Sequence, residues 1–121
     1  MNDFEVKDNG DRMKFESGMV RDTAQGKPRF DLVIPENVPF DQQLLTRIAM
    51  LYMKGSIKYA ERNWEQAVGA EELTRFKASA FRHFMQWFCG EEDEDHAAMT
   101  FFNIQGVETV KHKMKQREAC D

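Results

Sequence analysis

Cysteine is scarce in this sequence: Cys89 and Cys120 are the only two among 121 residues. That excludes a disulfide framework, and both read as free thiols in a reducing compartment. No apolar run approaches the roughly 18 residues of a membrane span, and no signal-like segment is present. The expectation is a cytoplasmic protein that makes no membrane contact. Positive charge is not in excess either. Lys and Arg total 17 against 21 Asp and Glu, a net charge of −4. This argues against a dedicated nucleic-acid binder, which usually carries a basic surface. Proline occurs three times, at 28, 35 and 39, so no continuous helix can run through 26–40. Internal repeats are absent.

What the chain does have is ten Phe and eight Met. Such side chains fill irregular gaps between helices or line a pocket for a flat ligand. The length fits one domain that buries roughly two-thirds of its unfolded-chain surface. Residues 1–25 are polar and lack a period, and read as an irregular arm. Residues 26–121 read as a single all-α domain. Within it, 26–40 is extended, with room for one short strand at 30–34. A first helix is expected over about 41–60, capped by Asp41, with Leu44, Ile48, Leu51 or Tyr52, Gly55 and Tyr59 on one side. A second is expected over about 71–89, with Leu73, Phe76, Ala80, Phe84 and Trp87 as its buried stripe. Glu71 and Glu72 suit its start and Gly90 its end. A third is expected over about 94–116. The basic run KHKMKQR at 111–117 lies on it and reads as a solvated face near the helix C-terminus.

The stretch GEEDEDH, residues 90–96, sets five carboxylates before a histidine. Crowded carboxylates raise one another's pKa unless a cation or helix dipole offsets them. Plain solvation explains any single member; a metal site would explain the cluster. Glu92 and Asp95 are one turn apart and can share a divalent cation with Glu91. Mg²⁺ suits such oxygen ligands and phosphate substrates. The short link between the second and third helices makes them antiparallel neighbours. His96 and Asn103 are then on one face of the third helix, about 10 Å apart. His83 lies opposite, between them in height, and Met99, Gly106 and Val110 share the face. Three polar groups in an apolar seam must find partners. Either His83 and Asn103 satisfy each other as a structural pair, or His83, His96 and Asn103 line a site.

KYAERNW, residues 58–64, is the second unusual stretch. Lys58 and Arg62 can hold phosphates. Tyr59 or Trp64 can stack on a base, and Asn63 can read a base edge. The plainer reading puts the aromatics in the core and the cations in solvent. GKPRFD, residues 26–31, lacks phosphate-loop spacing, although Lys27 and Arg29 could touch a ligand from an extended arm.

GKPRFDL (26–32), KYAERNW (58–64) and RHFMQWFCGEEDEDHAAMTFFNI (82–104), taken in order, resemble a phage-rich family of dATP/dGTP diphosphohydrolases, small relatives of the MazG-like pyrophosphohydrolases. The resemblance covers about residues 24–110. It implies an all-α MazG-like bundle whose helical hairpin carries acidic metal ligands. It implies homodimers or homotetramers in which neighbouring chains complete the site. The implied activity is hydrolysis of a deoxynucleoside triphosphate to the monophosphate and pyrophosphate, with Mg²⁺ or Mn²⁺, in the cytoplasm of an infected host. The MazG-like pattern places E-x-x-E on one helix and E-x-x-D on the next. Glu92 and Asp95 match the second pair; the first has no clean counterpart here.

These readings assign His83, Asp95 and Asn103 to catalysis, and Glu91, Glu92 and Asp95 to metal. Lys58, Tyr59, Arg62, Asn63, Trp64 and His96 are assigned to the substrate. Two rivals remain: a nucleotide-sequestering protein on the same scaffold without turnover, and a structural helical protein that does neither.

Overall fold

The computed structural model describes residues 6–8, 10–23 and 26–120. The chain groups into two units, Met1–Val33 and Ile34–Asp121. In the first unit, part of the expected irregular arm is a hairpin. Strand β1 (Arg12–Lys14) pairs antiparallel with β2 (Val20–Asp22), with Met13 opposite Arg21. Gly18 closes the turn at φ +92°, a conformation that costs glycine little. Arg12 pairs with Asp22 at 2.7 Å across the strands. The strands show no hydrophobic alternation because both faces are largely exposed, so a pattern-based reading had nothing to detect. The strand expected at 30–34 is a 3₁₀ turn, Phe30–Val33. Within it Asp31 holds Arg29 through two bonds of 2.9 and 2.7 Å. The parts of the arm at 1–5, 9 and 24–25 lie outside the described residues.

The second unit is the all-α body. A 3₁₀ turn, Phe40–Gln42, leads into α1 (Leu44–Lys58). Asp41 sits in that turn, so it does not cap α1. Gln43 holds the N-cap position with its own amide turned back to the Val38 carbonyl. Ile48 is the buried residue of α1, with Leu51, Tyr52 and Gly55 half-buried beside it. Leu44 and Tyr59, at the ends of the expected stripe, are exposed.

Helix α2 (Ala70–Phe88) starts where Glu72 turns back to accept from the N–H groups of Val68 and Gly69, at 2.9 and 3.2 Å. That is the glutamate half of a capping box. It ends at Gly90, φ +81°, in a Schellman arrangement. Gly90 N–H donates to Trp87 O and Glu91 N–H to Gln86 O. Helix α3 (His96–Cys120) follows five residues after that glycine and returns antiparallel. It is the central element, burying Ala98, Val107 and Val110 together with His96 and Asn103. Gly106 allows the close approach of α2. A Cβ there would stand 2.7 Å from the Phe76 ring.

Two expectations about α2 and α3 need correction. Phe84 and Trp87, placed in the buried stripe of α2, are exposed at 43% and 53%. They lie in the last turns of α2, beyond His83, which already meets His96, the first residue of α3. The basic run on α3 is only partly a solvated face. Lys113 donates to the carbonyls of Glu65 and Ala67, and Arg117 to that of Val68. These bonds tie the chain just before α2 to the far end of α3.

Candidate functional site

The polar residues buried among the described residues are His83, His96 and Asn103, the three that the seam argument singles out. Their pairing is not the structural one considered above. His83 and Asn103 do not bond each other. His83 Nδ1 lies 2.9 Å from His96 Nδ1, and His96 Nε2 lies 2.7 Å from Asp93 Oδ1. The Asp93 carboxylate can only accept, so His96 carries its proton on Nε2. His96 Nδ1 then accepts from His83 Nδ1–H. His83 Nε2 is left with a lone pair, 3.4 Å from the Arg82 Nη2 donor. Burial first, then the charges of Arg82 and His96, lowers the pKa of His83 below its ordinary value. Asp93 is held below the usual carboxylate range mainly by its bond to His96.

Arg82 begins a second arm as well. Its Nη1 donates to Gln86 Oε1 at 2.9 Å, and Gln86 Nε2 donates to Glu91 Oε2 at 2.7 Å. Both arms end at one place. Ligand atoms of Glu91, Asp93 and His96 all lie within 4.8 Å of one another. Of the three carboxylates expected to hold metal, only Glu91 falls in this group. Asp95 is occupied elsewhere. Its two oxygens take Arg47 Nε and Nη2 at 2.8 and 3.2 Å, and Oδ1 also accepts from Ala98 N–H at 3.1 Å. It is therefore the N-cap of α3 and a bidentate anchor for α1. Arg47 first, then the Ala98 N–H, lowers its pKa. Glu92 also lies outside the group.

The other assigned residues converge on a cleft of about 820 Å³ between the end of α1, the turn after it and the α2–α3 pair. Lys58, Tyr59, Arg62, Asn63 and Trp64 line it together with His83 and Asn103. The chain leaves α1 at Tyr59 and reverses at Arg62, which holds φ +58° in the left-handed region. The 3₁₀ turn Asn63–Gln66 follows. Arg62 donates to Glu65 at 2.6 Å, and the Lys58 ammonium sits 5.1 Å from the Tyr59 ring centre. Trp64 faces inward, edge-on to Tyr52 and Phe102 at 5.8 and 6.3 Å. Burial pushes the Tyr52 phenol up to about 12. It stays protonated and donates to Gln105. Gly55 also lines the cleft, and no side chain crowds it.

His83 links the two features. It lines the cleft, and its ring touches His96 of the Glu91–Asp93–His96 group. His96 itself stands behind it and does not line the cleft. Arg82, Gln86 and Asp93 were missed by sequence reasoning. The available signals were the i, i+4 spacing of Arg82 and Gln86 and the i, i+3 spacing of Asp93 and His96.

Residues 17–118 match the family model described as "dATP/dGTP diphosphohydrolase, N-terminal". The chain belongs to that family. Comparison with curated proteins and with solved structures gave no significant match. Family membership and the helical bundle agree with the resemblance seen in KYAERNW and in the 82–104 stretch.

Proposed function

We propose that the cleft binds a purine deoxynucleoside triphosphate and that the protein hydrolyses it to the monophosphate and pyrophosphate. The observation that carries this reading is the double position of His83, in the cleft wall and against the acidic group. A nucleotide in the cleft would thereby bring its phosphates towards a candidate cation site. Glu91, Asp93 and His96 would hold the divalent ion. Their geometry admits one, and a mixed carboxylate–imidazole set favours Mn²⁺ over Mg²⁺, which prefers oxygen alone. When bound, the ion would neutralise charge on the phosphate oxygens as the P–O bond breaks. Lys58 and Arg62, at the exposed rim, hold the triphosphate. Trp64 presents an aromatic face or edge to the base. With the ion on His96 Nε2, the His96 proton would sit on Nδ1 and donate to His83 Nδ1, so His83 would donate from Nε2–H to a phosphate oxygen. Arg82 and Gln86 position Glu91.

The test is direct. Purified protein is incubated with each common nucleoside triphosphate and Mn²⁺ or Mg²⁺, and pyrophosphate is separated from orthophosphate. Monophosphate and pyrophosphate from deoxypurine substrates is the expected result. A sequestering protein without turnover is the second reading. Asp95 favours it, because its engagement with Arg47 leaves the E-x-x-D pair of the MazG-like pattern incomplete. Tight nucleotide binding with no product in either metal would select it.

We also propose that the protein works as a homo-oligomer. Phe81, Phe84, Met85 and Phe88 recur at helical spacing on α2 and are exposed at 68, 43, 43 and 72%. Apolar patches of this kind on a helix are the usual seat of a protein partner. A second copy is the occupant the family resemblance implies. Sedimentation that shows a monomer at tens of micromolar would remove this proposal.

A further inference from the structure

Asn103 is 8% exposed, and its carboxamide has two ends with different fates. Nδ2 donates to the Met99 carbonyl, one turn back on α3, at 2.8 Å. A carbonyl only accepts, so this bond fixes which end of the amide is nitrogen. Oδ1 must therefore point the other way. It accepts no hydrogen bond from any described residue. Nor is it sealed off, because no buried side-chain oxygen or nitrogen is left without a partner among the described residues. Asn103 lines both the main cleft and a smaller adjoining one bounded by Trp64, Phe76 and Ser79. The result is an accessible acceptor of fixed direction on a residue that lines the cleft, unfilled by any described residue.

The surroundings say what kind of donor belongs there. Asn103 follows Phe102 on α3, and Phe102 packs with Tyr52, Trp64 and Phe76 at ring-centre distances of 5.2, 6.3 and 6.2 Å. This end of the main cleft is aromatic and carries none of the Glu91–Asp93–His96 group, while the smaller cleft adds Glu71, Glu72 and Arg75 at its wall. His96 is seven residues earlier on the same face, about 10 Å along the axis. That separation is of the order between the α-phosphorus and the far edge of a purine in one nucleotide.

We propose that Asn103 reads the base: its Oδ1 accepts a hydrogen bond from an amino or ring N–H group of a nucleobase seated beside Trp64 and Phe102. This rests on the nucleotide reading of the cleft. It makes Asn103 a specificity-determining residue, and it predicts that purines lacking an N–H on the six-membered ring are rejected. An acceptor buried by such a ligand loses water and gains nothing in return.

The experiment uses α,β-methylene triphosphates, which cannot be split at that bond, with Mn²⁺ present. Dissociation constants are measured by calorimetry for the deoxyadenosine analogue, for its counterpart with unsubstituted purine, and for its 3′-deoxy counterpart. The wild-type protein should bind the unsubstituted purine about tenfold more weakly than adenine. Asn103→Ala should bind the two alike. That variant should fold, because the Met99 carbonyl keeps its helical partner and no buried donor is orphaned. The wild-type comparison needs no variant at all. Equal binding of both purines by the wild type overturns the inference while leaving the nucleotide site standing. So does discrimination that survives in Asn103→Ala, or a loss on removing the 3′-hydroxyl that Asn103→Ala abolishes, which would assign Oδ1 to the sugar. No binding of any analogue overturns this inference together with the nucleotide reading.

Discussion

Helices α2 and α3 are neighbours of similar character in sequence, yet they end in opposite situations. Six residues of α3 are buried, from His96 to Val110, and the polar ones among them, His96 and Asn103, are both hydrogen-bonded. Only His83 is buried on α2, while Phe81, Phe84, Trp87 and Phe88 stand in solvent. Helix α3 runs through the middle, against α1, α2 and the turn carrying Trp64. Helix α2 has a neighbour on one side only. Apolar content thus says that a helix needs cover without saying who provides it. The inner face of the hairpin is completed within the chain, and the large apolar residues at the end of α2 are left uncovered by it.

The contrast can be tested by perturbing each face in turn. The largest effect is expected at His83. In His83→Ala, turnover should fall about 10²-fold or more, at the level of an oriented hydrogen-bond or proton-handling group. Melting should be followed alongside. A variant that melts much lower but turns over normally when folded would return His83 to a packing role. Next comes Gly106→Ala. The added methyl meets the Phe76 ring, so about 1–3 kcal/mol of stability should be lost. Denaturant unfolding of this variant measures how tightly the inner face is packed.

Asp95 separates capping from charge. Asp95→Ala should cost about 1–2 kcal/mol through loss of the α3 cap. Asp95→Asn keeps a capping oxygen and should cost under about 1 kcal/mol, because the Arg47 pair is more than a third exposed and screened. Turnover of Asp95→Asn, measured per folded molecule, should stay near the parent's. Its abolition would restore Asp95 to the metal shell. On the outer face, Phe84→Glu should leave the melting of the isolated chain within about 0.5 kcal/mol. It should lower the mass in solution to that of a monomer.

The pH effect is the smallest. The folded state holds the pKa of His83 below the ordinary 6.5. The unfolded chain then binds the extra proton first, so stability rises with pH in this window. Stability measured in a chelator should be flat above about pH 6.5 and decline below it. His83→Ala should remove that decline. The contributions of Asp93 and Asp95, whose pKa values are also depressed, persist until the pH falls below the ordinary carboxylate value of 3.8.

Sequence alone determined the three helices, because apolar residues recur with helical period between Pro39 and Gly90 and again beyond it. It determined the hairpin stop at Gly90, where a positive φ favours glycine. It also determined that His83, His96 and Asn103 share one seam, since seven-residue spacing on antiparallel helices leaves little choice. Only the tertiary structure decided how those groups are paired. Asp93 and Asp95 are chemically alike and two residues apart. One meets His96 across a turn, whereas the other meets Arg47, which is 48 residues away in the chain. A partner that distant has no local signature. The same holds for Phe84 and Trp87. Their spacing marks an apolar face, but burial depends on which elements pack against it, and that is settled by the whole fold.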